Sequence, residues 1–197
     1  MKRILSCILI IVLMLSLTAC GEVKKAETAV TEMMDSFKAL DYEKAHKHIT
    51  EGNVKDYEPA YRLTGKDATM FMDNLFGDLE YKIVSSEKVD SKTVNVTTEI
   101  TAIEMMPILA EFFYNIIEDS KDDPEAWQDE ETTFSKMDEI FEWVASQGGF
   151  KTVTNKVTIK VVKDGEKWKI APDPLFVDAL FGGFEEAAAE INNVFAQ

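Results

Sequence analysis

Few residues in this chain of 197 offer chemistry by their type and spacing. Its two histidines, His46 and His48, stand two apart between Lys44 and Lys47 or just beyond them. On a helix such neighbours point about 200° apart, so they do not converge on one metal or one substrate. A helical zinc pair needs i and i+4. Carboxylates run densely from Glu118 through Asp119, Asp122, Asp123, Glu125, Asp129 and Glu130 to Glu131. That run lacks the alternating ligands, central glycine and closing glutamate of an EF-hand loop. It reads as a solvated acidic loop. An acid–base carboxylate tuned by burial would have to sit among inward strand residues. The inward positions read from the pattern are Tyr81, Ile83, Val94, Val96, Thr98, Ile100, Val157, Ile159, Val161, Trp168 and Ile170, and none is acidic. Glu80 and Glu99 fall on the other face. There is no Gly-rich phosphate loop and no Gly-x-Ser-x-Gly elbow. No metal set, catalytic residue or cofactor is expected.

The one residue with a firm chemical assignment is Cys20. Lys2 and Arg3 precede an apolar run, Ile4 to Leu17, and Leu17-Thr18-Ala19-Cys20 follows directly. A charged start, an apolar stretch and a small residue before the cut make a secretory signal peptide. The run is shorter than the roughly 20 residues of a membrane span, and Gly21, Glu22, Lys24 and Lys25 close it off. Leu17-Thr18-Ala19-Cys20 resembles the lipobox of bacterial lipoproteins. That resemblance implies removal of residues 1–19 and lipid on the Cys20 sulfur, at least a diacylglycerol, with palmitate as the acyl class. Two or more chains hold stably in a bilayer where one does not. The expected location is therefore the extracytoplasmic face of the cell membrane. Only Arg3 and Arg62 among 21 basic residues are arginine, a bias that associates with low-GC Gram-positive organisms.

Residues 20–197 are expected to form a single domain with a proper core. Cys7 leaves with the signal and Cys20 is capped, so no thiol remains for a disulfide or a nucleophile. The formal charge is −15 and becomes two units more negative when Lys2 and Arg3 are cut away. Phosphate contacts need lysine and arginine, so nucleic acid is not an expected partner.

Periodicity supplies the elements. Apolar residues at helical spacing predict a helix over 23–40 and a short one over 42–49 capped by Asp41. Gly52-Asn53 should stop it, with a loop over 54–65 and a helix over 67–76. Alternation predicts strands over 79–84 and 92–103, joined by Val89-Asp90-Ser91. Helices follow over 105–118, with Pro107 in the first turn, and over 134–145, separated by an acidic loop, 122–131. Val153 to Val161 predicts the next strand. Asp164-Gly165 predicts a tight turn with both central residues at positive φ, and Trp168 and Ile170 lie on the return strand. Asp173-Pro174 should cap a helix over 174–195, kinked or split at Gly182-Gly183.

The fold class is therefore α+β: N-terminal helices on a curved antiparallel sheet, a helical insertion over 104–150 between hairpins, and a C-terminal helix. The first helix, the segment Ala39-Leu40-Asp41-Tyr42-Glu43-Lys44-Ala45 and the strands ending in Lys163-Asp164-Gly165-Glu166-Lys167-Trp168-Lys169-Ile170 resemble the nuclear transport factor 2-like superfamily, more closely its bacterial lipoproteins. The resemblance covers 23–103 and 151–171, and 104–150 departs from it. It implies helices packed in the concave face of the sheet to make a cone. The superfamily holds ketosteroid isomerase and scytalone dehydratase beside non-catalytic binding modules, so the fold does not decide the function. The apolar stripes of the insertion either plug the cone or roof a pocket lined by Tyr81, Trp168 and Phe112. The expected function is a non-enzymatic, membrane-anchored binding or scaffolding module for a small apolar ligand or an envelope protein. The alternative is a cavity enzyme performing proton transfer or dehydration.

Overall fold

The computed structural model describes residues 21–50 and 75–195. The signal segment with Cys20, the 52–53 stop, the 54–65 loop and most of the 67–76 helix lie outside them. Among the described residues, helix α1 covers 21–38. Its periodic face, Ala26, Ala29, Val30, Met33, Met34 and Phe37, is buried as the spacing requires. It ends at Leu40, whose φ of 58° is left-handed. Leu40 N–H donates to Phe37 O and Asp41 N–H to Ser36 O, both at 2.9 Å, which satisfies two orphan carbonyls. A leucine there costs about 1–2 kcal/mol relative to glycine, set against packing of its side chain on the core.

Helix α2, Tyr42–His46, is capped by the Asp41 carboxylate, which accepts from Lys44 N–H at 3.0 Å. It stops short of residue 49 because the chain turns to join the sheet. Ile49 makes a parallel bridge to Ile170. Ile170 N–H donates to His48 O at 2.7 Å, and Thr50 N–H to Ile170 O at 2.9 Å.

The sheet is an antiparallel meander of β1 (Glu80–Lys88), β2 (Thr93–Ile103), β3 (Thr152–Asp164) and β4 (Lys167–Ile170), in that spatial order. Strand β1 runs four residues past its expected end. The pairing slips between Ile83 and Ser85, so Val84 is an extra, exposed residue. The inward side changes parity there, from Tyr81 and Ile83 to Ser86 and Lys88. The period of two therefore breaks at 84, although the strand continues. Strand β2 alternates as expected, with Val94, Val96, Thr98, Ile100 and Ala102 buried. Its outer face carries cross-strand polar pairs, among them Thr101 and Thr154 at 2.7 Å and Lys82 and Glu99 at 3.9 Å. The β3–β4 turn differs from expectation in register. Asp164 pairs with Lys167, so the central residues are Gly165 and Glu166, and only Gly165 (φ 63°) takes positive φ. A glycine in the first central position is the type II′ arrangement, which suits the strand twist.

Helices α3 (Met105–Asp122) and α4 (Glu130–Gln147) form the insertion, with a 3-10 turn at Ala126–Gln128 between them. Both exceed their expected bounds, and the acidic loop shrinks to 123–129. Asp122 belongs to α3. Asp129 is the N-cap of α4, its carboxylate accepting from Thr132 N–H at 2.9 Å. An acidic run was read as solvated loop, but acids on the outer face and at a helix start are equally at home. Glu104 N–H donates to Lys151 O at 2.9 Å and closes the neck of the insertion.

Asp173 caps α5 (Pro174–Leu180), accepting from Phe176 N–H at 2.8 Å with Pro174 in the first turn. The C-terminal helix is split, as one of the two expectations had it, and α6 spans Phe184–Phe195. Gly182 (φ 61°) explains the break. A Cβ on it would lie 1.7 Å from Ile103 O. Its own carbonyl accepts from Met105 N–H at 3.0 Å. The end of β2, the start of α3 and the α5–α6 joint thus meet at one crowded point. A single core joins α1, the inner face of the sheet, α3, α5 and α6.

Candidate functional site

Tyr81, Trp168 and Phe112 do not surround one cavity. Tyr81 is on β1 and Trp168 on β4, the two edge strands, about 14 Å apart across three strand spacings. Tyr81 pairs with Ile100, which pairs with Asn155, whereas Trp168 pairs with Lys163. That adds about 27 Å along β3, at ~3.4 Å per residue. The two rings occupy opposite corners of the sheet. Tyr81 fastens β1 to α1, its hydroxyl donating to Asp35 Oδ1 at 2.7 Å. Burial, and then the Asp35 carboxylate, push its phenol up to about 12. It stays protonated at neutral pH as a donor. Trp168 is buried beneath β4 and Phe112 on the inner side of α3, edge-on to Phe113 at 5.4 Å between ring centres. Cys20 lies outside the described residues.

The histidines are half-buried. His46 closes α2 and His48 lies beyond it, so no common helix face relates them. His48 Nδ1 stands 3.7 Å from Glu32 Oε2. Burial nonetheless holds its pKa below the ordinary value, with Lys44 and Lys167 adding to the effect.

Side chains of mixed chemistry converge instead between α3 and α4. The stripe Asn115, Glu118, Asp119, Asp122 on α3 faces Glu139, Ile140 and Trp143 on α4, around a groove of about 340 Å³. On α3 these positions follow i, i+3, i+4, i+7, which places them on one face. Lys136, Glu139, Ile140 and Trp143 repeat that spacing on α4. One wall is braced by Asp119, whose carboxylate accepts from Lys136 Nζ at 2.7 Å and from Trp127 Nε1 at 2.9 Å. The Lys136 contact first, then Trp127, hold Asp119 below the usual carboxylate range, and Asp119 holds Lys136 above the usual amine value. Glu118 is bridged by Lys121 at 2.7 Å. The Trp143 indole is 49 % exposed. Four carboxylates beside an open indole suit a cation, through charge and through the face of the ring. The charge of the acidic run is legible in the sequence, and its i, i+3, i+4, i+7 spacing, repeated on α4, is the further signal that puts these side chains on facing helix surfaces.

Among the described residues, no group of three His, Cys, Asp or Glu is placed to hold a metal ion, and no helix is long and apolar enough to cross a membrane. No protein-family model, no curated protein and no solved structure matches the chain.

Proposed function

We propose that this protein is a binding module, not an enzyme, of nuclear transport factor 2-like type. Lipid on Cys20 holds it at the extracytoplasmic face of the membrane, and the groove between α3 and α4 receives a cationic segment of an envelope protein. The observation that carries this reading is the lining of that groove. Glu118, Asp119, Asp122 and Glu139 stand round the half-exposed Trp143. A small apolar ligand fits that lining less well, since four of its seven residues are acids. The signal segment and the lipobox-like Leu17-Thr18-Ala19-Cys20 support the anchor.

Intact mass of protein purified from membranes tests the anchor. A diacylglycerol increment on a chain beginning at Cys20 is expected, and Cys20→Ala should release the protein. Fluorescence titration with a lysine-rich peptide and a glutamate-rich one tests the groove. The basic peptide should perturb the Trp143 emission, and the acidic one should not. Asp122→Asn with Glu139→Gln should abolish the response without unfolding the protein. Equal affinity of the double variant would sink the reading.

A further inference from the structure

Glu22, on α1, bridges Lys88 at the end of β1 and lies 4.0 Å from Lys163 at the end of β3. These contacts pin the Glu22 stretch of α1 between the β1–β2 and β3–β4 turns. The Lys88 contact, then the nearby Lys163 and Lys25 charges, keep the Glu22 carboxyl below its usual range. Cys20 is two residues back along the chain, a reach of at most about 7 Å. Only Gly21 separates the cysteine from Glu22 in the sequence.

The same end is where lysines gather. Residues 21–25, 87–93 and 160–169 hold eight lysines and five acids, in a chain whose net charge is −15. Lys24, Lys25, Lys92, Lys163 and Lys167 are exposed there, and Val89, 55 % exposed, forms the tip of the β1–β2 turn. The insertion leaves β2 at Ile103 and re-enters β3 at Thr152, at the opposite end of strands some 34 Å long, at ~3.4 Å per residue. Residues 104–147 hold thirteen acids and two lysines.

We propose that the lysine-bearing end, formed by residues 21–25 of α1 and the two hairpin turns, rests on an anionic phospholipid surface and holds the acidic insertion away from it. Lysines near an anionic leaflet are attracted to it, each changing the surface partition roughly fivefold. The insertion is repelled by the same surface. One lipid attachment leaves a body free to tumble about its tether, and this charge asymmetry removes that freedom. The proposal rests on the lipid attachment at Cys20 and adds an orientation to it.

The test is amide hydrogen exchange of the lipidated protein in phosphatidylcholine vesicles, with and without phosphatidylglycerol. With the anionic lipid, exchange should slow across 21–25, 87–93 and 163–167 and stay unchanged across 118–143. Lys24→Glu with Lys92→Glu should weaken the contact by at least roughly 25-fold and restore free exchange, while the protein still floats with the vesicles. The orientation is overturned by identical exchange in both vesicles, by slowing across 118–143, or by slowing that survives the double reversal. If intact mass shows a bare Cys20, the anchoring reading fails separately. The same chain coupled through Cys20 to a maleimide lipid then tests the lysine-bearing face alone.

Discussion

On the inner face of β2, Val94, Val96, Ile100 and Ala102 are fully buried, and the one polar residue among them, Thr98, is buried too. Between α3 and α4 stand carboxylates, a lysine and a half-exposed indole. The first region is held by apolar burial, which has no direction and little salt dependence. The second depends in part on contacts such as Asp119–Lys136 that are partly open to solvent, and such contacts are worth little and are screened by salt. A protein that binds something has reason to keep its groove in the second region, where side chains can change without emptying the core.

The seam between the regions should be the most fragile place. Gly182→Ala should cost about 4 kcal/mol or more, because the new Cβ meets Ile103 O and nothing flexible can give way. Gly183→Ala, with φ of 80° but open space around it, should cost only about 1–2 kcal/mol. Similar losses in denaturant melts would remove the special status of the seam. Core truncation sharpens the contrast. Ile159→Ala, in the sheet, should cost about 3 kcal/mol, and Ile140→Ala, half-buried on α4, about 1 kcal/mol. An equal cost would mean the insertion is as tightly packed as the sheet.

Thr98 should show the opposite sign. Its Oγ1 is buried with no hydrogen-bond partner among the described residues. Thr98→Val should stabilise by ~1 kcal/mol by removing an unsatisfied hydroxyl. A lower Tm would show that the hydroxyl has a partner after all. The smallest effect concerns His48, where the 48–50 segment joins β4. Its folded pKa lies below the ordinary value, so the fold prefers neutral imidazole. That contribution is complete above about pH 6.5 and is lost as pH falls through the lower folded value. Stability should therefore decline modestly from pH ~7 to pH ~5, and His48→Gln should flatten the slope. An unchanged slope in the variant would assign it to other groups.

The same contrast decides what could be read from the sequence. Period-two alternation in Thr93–Ile103 and the caps at Asp41 and Asp173 are local, single-element signals, and they placed β2, α2 and α5 within a few residues. Where an element depends on a neighbour, the reading failed. Val84 breaks the alternation of β1 through a slip in its pairing with β2. The end of α2 is set by Ile170, far along the chain. Tyr81 and Trp168 looked like neighbours because both face inward, but register places them at opposite corners. The groove was least legible, since the dense acids from Glu118 show in the sequence but their meeting with Glu139 and Trp143 exists only when two helices are laid face to face.

The hydrogen bond from Glu104 N–H to Lys151 O has a consequence for how this chain can diverge. It ties off residues 105–150 at one point, directly beyond the Ile103–Thr152 pair. What lies past such a knot can lengthen cheaply, because doubling a closed segment costs only about 0.6 kcal/mol of chain entropy. Descendants of this sequence can exchange the whole cassette for one of another size and charge, and still zip β2 to β3 in the same register.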